Sequence, residues 1–249
     1  MAHYKSIFIS DIHLGSRASQ ADFVVDFLKN NTCEKLFLVG DIIDGWRLKR
    51  KWYFPQSHAN VIRAILGAAK KHTEVYYILG NHDEAFRKFL SYDINIGRIH
   101  VSNSETYTAV NGKRYYVTHG DEFDSLMTNG KWLMHVGDTL YSIAVWSNMH
   151  LNTVRKWLGL PYWSLSNWLK KNTKQAVSYI DNYEHHVAAY CNRQGYAGII
   201  CGHIHTPAMR NIRGIEYMNC GDWCESCTAL VETLDGEWIL LSKTQLENT

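Results

Sequence analysis

Five short clusters of acidic, amide and imidazole residues punctuate the chain. They are Asp11-Ile12-His13, Gly40-Asp41-Ile42-Ile43-Asp44, Gly80-Asn81-His82-Asp83, His119-Gly120-Asp121 and Gly202-His203-Ile204-His205. None contains cysteine, so the donors are oxygen and nitrogen, which suit hard-to-borderline divalent ions such as Mn²⁺, Fe²⁺ or Zn²⁺. Asp-x-His and His-x-His place residues i and i+2 on one side of extended chain, where both can face one ion. The donors exceed what a single ion needs. Two ions need a shared carboxylate, and Asp41 is the candidate. Ions about 3.5–4 Å apart hold the attacking and leaving oxygens of an in-line displacement at phosphorus. Singly these clusters are weak signals: a lone Asp-x-His is near noise, and Gly-Asp-x-x-Asp or Gly-Asn-His-Asp also reads as a solvated turn. Gly-His-x-His after an apolar strand has few structural uses.

The elements that must position these residues are legible around them. Residues 5–10, 35–39 and 74–79 read as short apolar strands that end at the first three clusters. Between them, 19–30 reads as an amphipathic helix with Phe23, Phe27 and Leu28 on one side, and 56–72 as another with Val61, Ile65 and Leu66 on one face. Such β-α-β-α-β alternation predicts a helix-covered sheet whose strand ends meet at one edge, where α/β proteins place their sites. Glycines 40, 80 and 202 allow a sharp turn or a close approach there. Beyond residue 98 the pattern changes. Residues 106–110 and 113–118 flank Asn111-Gly112, a strong hairpin signal. Residues 125–194 read as mostly helical, 197–201 as a strand, and the turns Arg213-Gly214 and Asp235-Gly236 separate further strands.

Taken in order, the five clusters resemble the calcineurin-like metallophosphoesterases. The resemblance implies an α+β fold of α/β/β/α type: a β-sandwich flanked by helices, formed by one domain over residues 1–249 with a helical lid inserted at about 125–194. It implies Asp11, His13, Asp41 and His205 on one metal, with Asp41, Asn81, His119 and His203 on the other. It further implies that His82, paired with Asp44, serves the leaving oxygen, and that a bridging hydroxide attacks. The expected cofactor is a pair of divalent ions, Mn²⁺ foremost, with Fe²⁺ or Zn²⁺ as alternatives.

Two basic, aromatic stretches bear on the substrate. Residues 125–180 hold five of the nine tryptophans and the bases Lys131, Arg155, Lys156, Lys170, Lys171 and Lys174, against one acid, Asp138. That composition suits an anionic amphiphile or an anionic membrane surface; it equally suits a lid whose tryptophans pack on the core. Trp46-Arg47-Leu48-Lys49-Arg50-Lys51-Trp52 follows the second cluster directly. Trp46, Arg47, Lys49 and Arg50 are candidates to hold a diphosphate and a ring, as Lys170, Lys171 and Lys174 are for the lid; a solvated basic loop is the plainer reading. The layout is similar to the UDP-2,3-diacylglucosamine hydrolases of lipid A synthesis in length, in the lid before Gly-His-x-His, and in the closing Gly221-Asp222-Trp223. That resemblance implies cleavage of a nucleotide-sugar lipid pyrophosphate to UMP and an acyl-sugar phosphate. Many such enzymes carry Arg where this chain has His82. The alternative is a phosphodiesterase acting on nucleic acid or cyclic nucleotides, although no nucleic-acid-binding motif is present.

Composition sets the outer bounds. The 249 residues suffice for one substantial core, and a net charge of +2 does not by itself argue for nucleic acid. No run approaches the roughly 18 apolar residues of a membrane span, and Ile7–Ile9 is too short for a signal-peptide core. The expected location is the cytoplasm, with peripheral contact at the inner face of its membrane. Cys220, Cys224 and Cys227 lack a second Cys/His pair at finger spacing, so reduced core or loop thiols are expected rather than zinc.

Overall fold

Parallel strands β1 (Ala2–Ile9), β2 (Asn31–Val39) and β3 (Glu74–Ile78) lie side by side because each is a short apolar run joined to the next by a helical crossover. The computed structural model of the chain describes residues 2–88, 95–126, 152, 155, 157, 158, 160 and 174–247. The crossovers are α1 (Ala21–Asn30) and α3 (Gln56–Lys70), with the short α2 (Gly45–Arg50) between β2 and α3. Short α4 (Glu84–Arg87) precedes the antiparallel pair β4 (Asn95–Ile96) and β5 (Ile99–Ser102), and β5 joins β3 in parallel. Then follow the hairpin β6 (Ser104–Thr108) and β7 (Arg114–Thr118), helix α5 (Lys174–Gln194) and strands β8 (Gly198–Cys201), β9 (Ala208–Ile212) and β10 (Ile215–Asn219). Strands β11 (Ala229–Glu232) and β12 (Trp238–Leu241) and the short helix α6 (Lys243–Glu247) complete the described chain.

These strands make two sheets. The larger has the order β12-β11-β1-β2-β3-β5-β4, the smaller β6-β7-β8-β10-β9. Strand periodicity explains the layers. Ile7, Ile9, Leu36 and Leu38 face one side, where they meet Val24 and Phe27 of α1 and Val61 and Ile65 of α3. Their neighbours Phe8, Phe37 and Val39 face the other side, against Tyr107, Tyr115, Val117, Ile200 and Met218 of the smaller sheet. Phe8 and Phe37 stack at 4.6 Å and Phe37 and Tyr76 at 4.5 Å in that inter-sheet layer. The fold is thus a two-sheet α+β sandwich with flanking helices, as the resemblance implied.

Several local expectations shift. Leu66 is 49% exposed while Val61 and Ile65 are buried, because Leu66 follows Ile65 by one residue, a rotation of about 100° off the buried face. The supposed basic loop after residue 44 is helical in part: the Asp44 carboxylate accepts the Arg47 backbone N–H at 3.0 Å and caps α2. Strands β1 and β2 begin earlier than the apolar runs, since their polar first halves still pair, Ala2 with Asn31 and Tyr4 with Cys33.

The chain divides into two compact units, residues 1–121 with 188–249, and residues 122–187. In the second, the Tyr179 hydroxyl donates to Asp124 at 2.8 Å and Phe123 meets Tyr183 edge-on, fixing the 3₁₀ turn Asp121–Leu126 against α5. Most of the expected helical insertion, including Trp132, Trp146, Trp163 and Trp168, lies outside the described residues. Among the described residues, no helix is long and apolar enough to cross a membrane.

Candidate metal centre

The C-terminal ends of β1, β2 and β3 from one sheet and of β7 and β8 from the other open onto the five clusters. The ladder continues past the strands: Asp11 N–H donates to Gly40 O at 3.0 Å, His13 N–H to Asp41 O at 2.9 Å, and Gly202 N–H to His119 O at 3.1 Å. Asp11, His13, Asp41, His203 and His205 all have positive φ, between 49° and 69°. Side chains in that region cost on the order of 1–3 kcal/mol each and persist where the surroundings over-determine them. Gly80 and Gly202 then make room. A Cβ on Gly80 would stand 2.2 Å from Asp41 Oδ1, and one on Gly202 2.4 Å from Asp11 Oδ2.

The side chains converge on a few oxygens. Asp11 Oδ1 lies 3.1 Å from His205 Nε2, 3.4 Å from His119 Nε2 and 3.8 Å from His13 Nε2. Asp41 Oδ1 accepts the His82 backbone N–H at 2.9 Å, which leaves Oδ2 facing His119 Nε2 at 3.6 Å and His13 and His82 Nε2 at 3.8 Å. Three sets of donors are close enough to share a cation: Asp11, His13 and His205; His13, Asp41 and His82; and Asp11, Asp41 and His119. Asp11 and Asp41 each fall in two of them. His203 is in none of them; its ring lies edge-on to His119 at 5.0 Å and its backbone N–H donates to Asp11 Oδ2 at 3.1 Å.

This donor set fits divalent cations. Buried carboxylates and imidazoles face one another, and no Lys or Arg is among the buried residues described. Asn81 Oδ1 is buried without a hydrogen-bond partner, as a metal-directed amide oxygen would be. Electrostatics agree. Burial alone would lower the His13 pKa, but a hydrogen bond with Asp44 and the charges of Asp41, Asp44 and Asp11 push it up to about 9. His119 is likewise moved up against its burial, by Asp41, Asp11 and Asp121. Burial opposes ionisation of Asp11, yet His205 and His119 hold its carboxyl well below the usual range. The carboxylates thus favour positive charge at this cluster, as a cation site would.

Beside it, His82 Nδ1 lies 2.9 Å from Asp44 Oδ1. Burial would raise the Asp44 carboxyl, but hydrogen bonds from His13 and His82 hold it far below the ordinary carboxylate range. Trp46 lies over the His82 ring at 4.2 Å, and its Nε1–H donates to Glu84 at 3.0 Å. Arg47 Nε sits 3.1 Å from Asp44 Oδ2, while Lys49 and Arg50 are exposed on α2. Lys170, Lys171 and the side chain of Lys174 lie outside the described residues.

The structure adds groups that the motifs did not assign. Asp83 accepts from Ile42 N–H, Ile43 N–H, Gly80 N–H and the Tyr77 hydroxyl, tying the second cluster to the third. Burial and the Asp41 charge push its carboxyl up to about 6. Asn219 donates to Gly202 O at 2.7 Å and accepts from Gly221 N–H. Asp121 and Arg87 form a pair behind His119. The His-Gly-Asp spacing was a visible signal for Asp121; Arg87 had none. Cys220, Cys224 and Cys227 are buried and in no disulfide, and burial moves Cys220 and Cys224 well up.

A two-sheet sandwich with such a cluster at its strand ends defines a metal-dependent phosphoesterase. The calcineurin-like phosphoesterase family matches residues 4–207, and the chain belongs to that family. Among solved structures it is similar to an archaeal phosphodiesterase (11% identity, 95% of this chain and 98% of that one, TM-score 0.45). It is also similar to YfcE, a phosphoesterase from E. coli (15%, 95% and 98%, 0.45), and to Vps29 of Entamoeba histolytica complexed with zinc (11%, 95% and 97%, 0.38). No curated protein matches it.

Proposed function

We propose that this phosphoesterase works with two divalent ions, Mn²⁺ foremost, and cleaves the pyrophosphate of a nucleotide-linked lipid such as UDP-2,3-diacylglucosamine to UMP and an acyl-sugar 1-phosphate. Asp11, His13, Asp41, Asn81, His119, His203 and His205 would hold the ions, with Asp41 shared. Such ions, when bound, lower the pKa of water and neutralise phosphoryl charge. His82 gives a proton from Nε2 to the leaving oxygen, while Asp44, 2.9 Å from Nδ1, steadies the ring and its positive charge. Trp46 limits rotation of that ring from above.

The observation that carries the substrate reading is the exposed basic face of α2. Lys49 and Arg50, with Lys51 after them, lie one turn beyond Asp44, which caps the helix beside the site. Cations there suit a second phosphate. Trp52 is 75% exposed next to them, and in the second unit Trp157, Leu158 and Leu160 are exposed. Apolar side chains left in water among bases suit acyl chains or an anionic membrane surface, which supports the insertion at about 125–194 as the lipid-facing part and a peripheral, cytoplasmic location. The test is incubation of the Mn²⁺-loaded protein with UDP-2,3-diacylglucosamine: UMP is expected. No UMP, alongside rapid cleavage of an oligonucleotide or cyclic nucleotide, overturns the lipid reading. It would favour a phosphodiesterase that uses the same α2 cations on a nucleic-acid backbone, with steeply salt-dependent affinity.

A further inference from the structure

His119 is fully buried, and its surroundings leave it little freedom. A Cβ on Gly40 would stand 2.3 Å from its Cδ2. One ring nitrogen, Nε2, faces Asp11 Oδ1 at 3.4 Å and Asp41 Oδ2 at 3.6 Å. The other, Nδ1, lies 3.2 Å from Asp121 Oδ1. Asp121 is held in turn by Arg87, whose Nη2 is 3.0 Å from Oδ1 and 2.8 Å from Oδ2 and also donates to Leu79 O at 3.2 Å. Arg87 stands at the end of α4, directly after Asn81-His82-Asp83. It therefore ties the third cluster to the fourth.

We infer that Arg87 and Asp121 are positioning residues that keep the His119 proton on Nδ1, so that Nε2 presents its lone pair to a cation held also by Asp41. A neutral imidazole carries one N–H, and a carboxylate at Nδ1 decides where it sits. Carboxylate-histidine-metal relays of this kind fix ring orientation and raise ligand basicity. Asp121 alone would add one more negative charge behind Asp11 and Asp41. The guanidinium offsets that charge and stops the carboxylate from swinging toward the cations. This inference rests on the reading of His119 as a metal ligand; it deepens that reading by naming what orients the ligand.

The test is titration of the chelator-stripped full chain with Mn²⁺, followed calorimetrically, in the wild type, Arg87→Gln, Asp121→Asn, their double variant and His119→Ala. Asp121→Asn should weaken Mn²⁺ binding by about 10–100-fold, the usual cost of losing such a partner. Arg87→Gln should lose no more than that. The double variant should bind no worse than Asp121→Asn, because Arg87 acts through Asp121. In ¹⁵N-histidine spectra of the metal-free protein, at a pH high enough for the ring to be neutral, the wild-type His119 should carry its proton on Nδ1, and Asp121→Asn should redistribute it, which a merely structural ion pair would not do. If Asp121→Asn fails to fold, Arg87→Gln, at a half-exposed position, carries the same titration and spectra. Wild-type affinity and tautomer in both single variants, while His119→Ala loses a metal, would overturn the positioning role and leave the metal reading standing. Wild-type binding in His119→Ala as well would overturn both.

Discussion

Replacing Gly80 with alanine deletes no donor, yet it should disable the site. The new Cβ would lie 2.2 Å from Asp41 Oδ1, 2.6 Å from the Asp41 backbone nitrogen and 2.9 Å from Cγ. Ordinary contact begins at 3.4 Å, so the carboxylate is about 1.2 Å too close. Rotating the Asp41 side chain does not cure this, because its backbone is also in the way and Oδ1 is committed to the His82 N–H. Either the third cluster or the carboxylate shared by two donor sets must move by about 1 Å, and a misplacement of that size costs roughly 10²-fold in rate. That corresponds to about 2.7 kcal/mol of barrier. Overpacking of this kind also costs about 1–3 kcal/mol of stability. The assay is hydrolysis of bis(p-nitrophenyl) phosphate by Mn²⁺-loaded protein, with metal content and melting temperature measured on the same samples. Gly67→Ala is the control: it sits in α3 with nothing within 4 Å of its Cβ and should gain about 0.5–1 kcal/mol with unchanged rate. A folded Gly80→Ala protein with wild-type kcat and full metal content would refute the claim that these glycines set the site geometry.

Three further outcomes are expected. His82→Ala should lower kcat by about 10²–10⁴, the range for a general acid, with metal content intact; the loss should be largest for esters with poor leaving groups and should shrink for p-nitrophenolate. Asp44→Asn keeps a good helix cap but removes the charge facing His82, so it should lose activity while melting near the wild type. Asp44→Ala should lose about 1 kcal/mol more stability, read by denaturant melts. Because His13 is moved up to about 9 in the metal-free protein, it is protonated at neutral pH and cation binding must expel that proton. Mn²⁺ affinity should therefore rise from pH 6.5 to about 9, with proton release visible as calorimetric heats that depend on the buffer.

The parts of this molecule that sequence makes legible are those in which one residue type has one use. Apolar runs ending in Gly-Asp, Gly-Asn or Gly-His marked β2, β3 and β8 and the edge where they meet, since a buried strand end carrying polar side chains needs a partner for them. Asn111-Gly112, Arg213-Gly214 and Asp235-Gly236 marked hairpins because positive φ at those positions favours such residues; Arg213 and the three glycines do adopt it. What was not legible depends on through-space pairing. Arg87 looks like any helical arginine until β3 and β7, from different sheets, bring it against Asp121. Trp46 reads as a free aromatic face until His82 arrives beneath it from 36 residues away. The α2 helix escaped notice because its capping carboxylate, Asp44, also serves His13 and His82, and periodicity says nothing about a six-residue helix.

Everything proposed for this site requires a pair of divalent cations among Asp11, His13, Asp41, Asn81, His119, His203 and His205. An anomalous difference map at the manganese edge, from crystals soaked in Mn²⁺, tests it most directly. Two peaks about 3.5–4 Å apart, with Asp41 between them, are expected. A map without density at this strand edge, or with its manganese elsewhere, would contradict it.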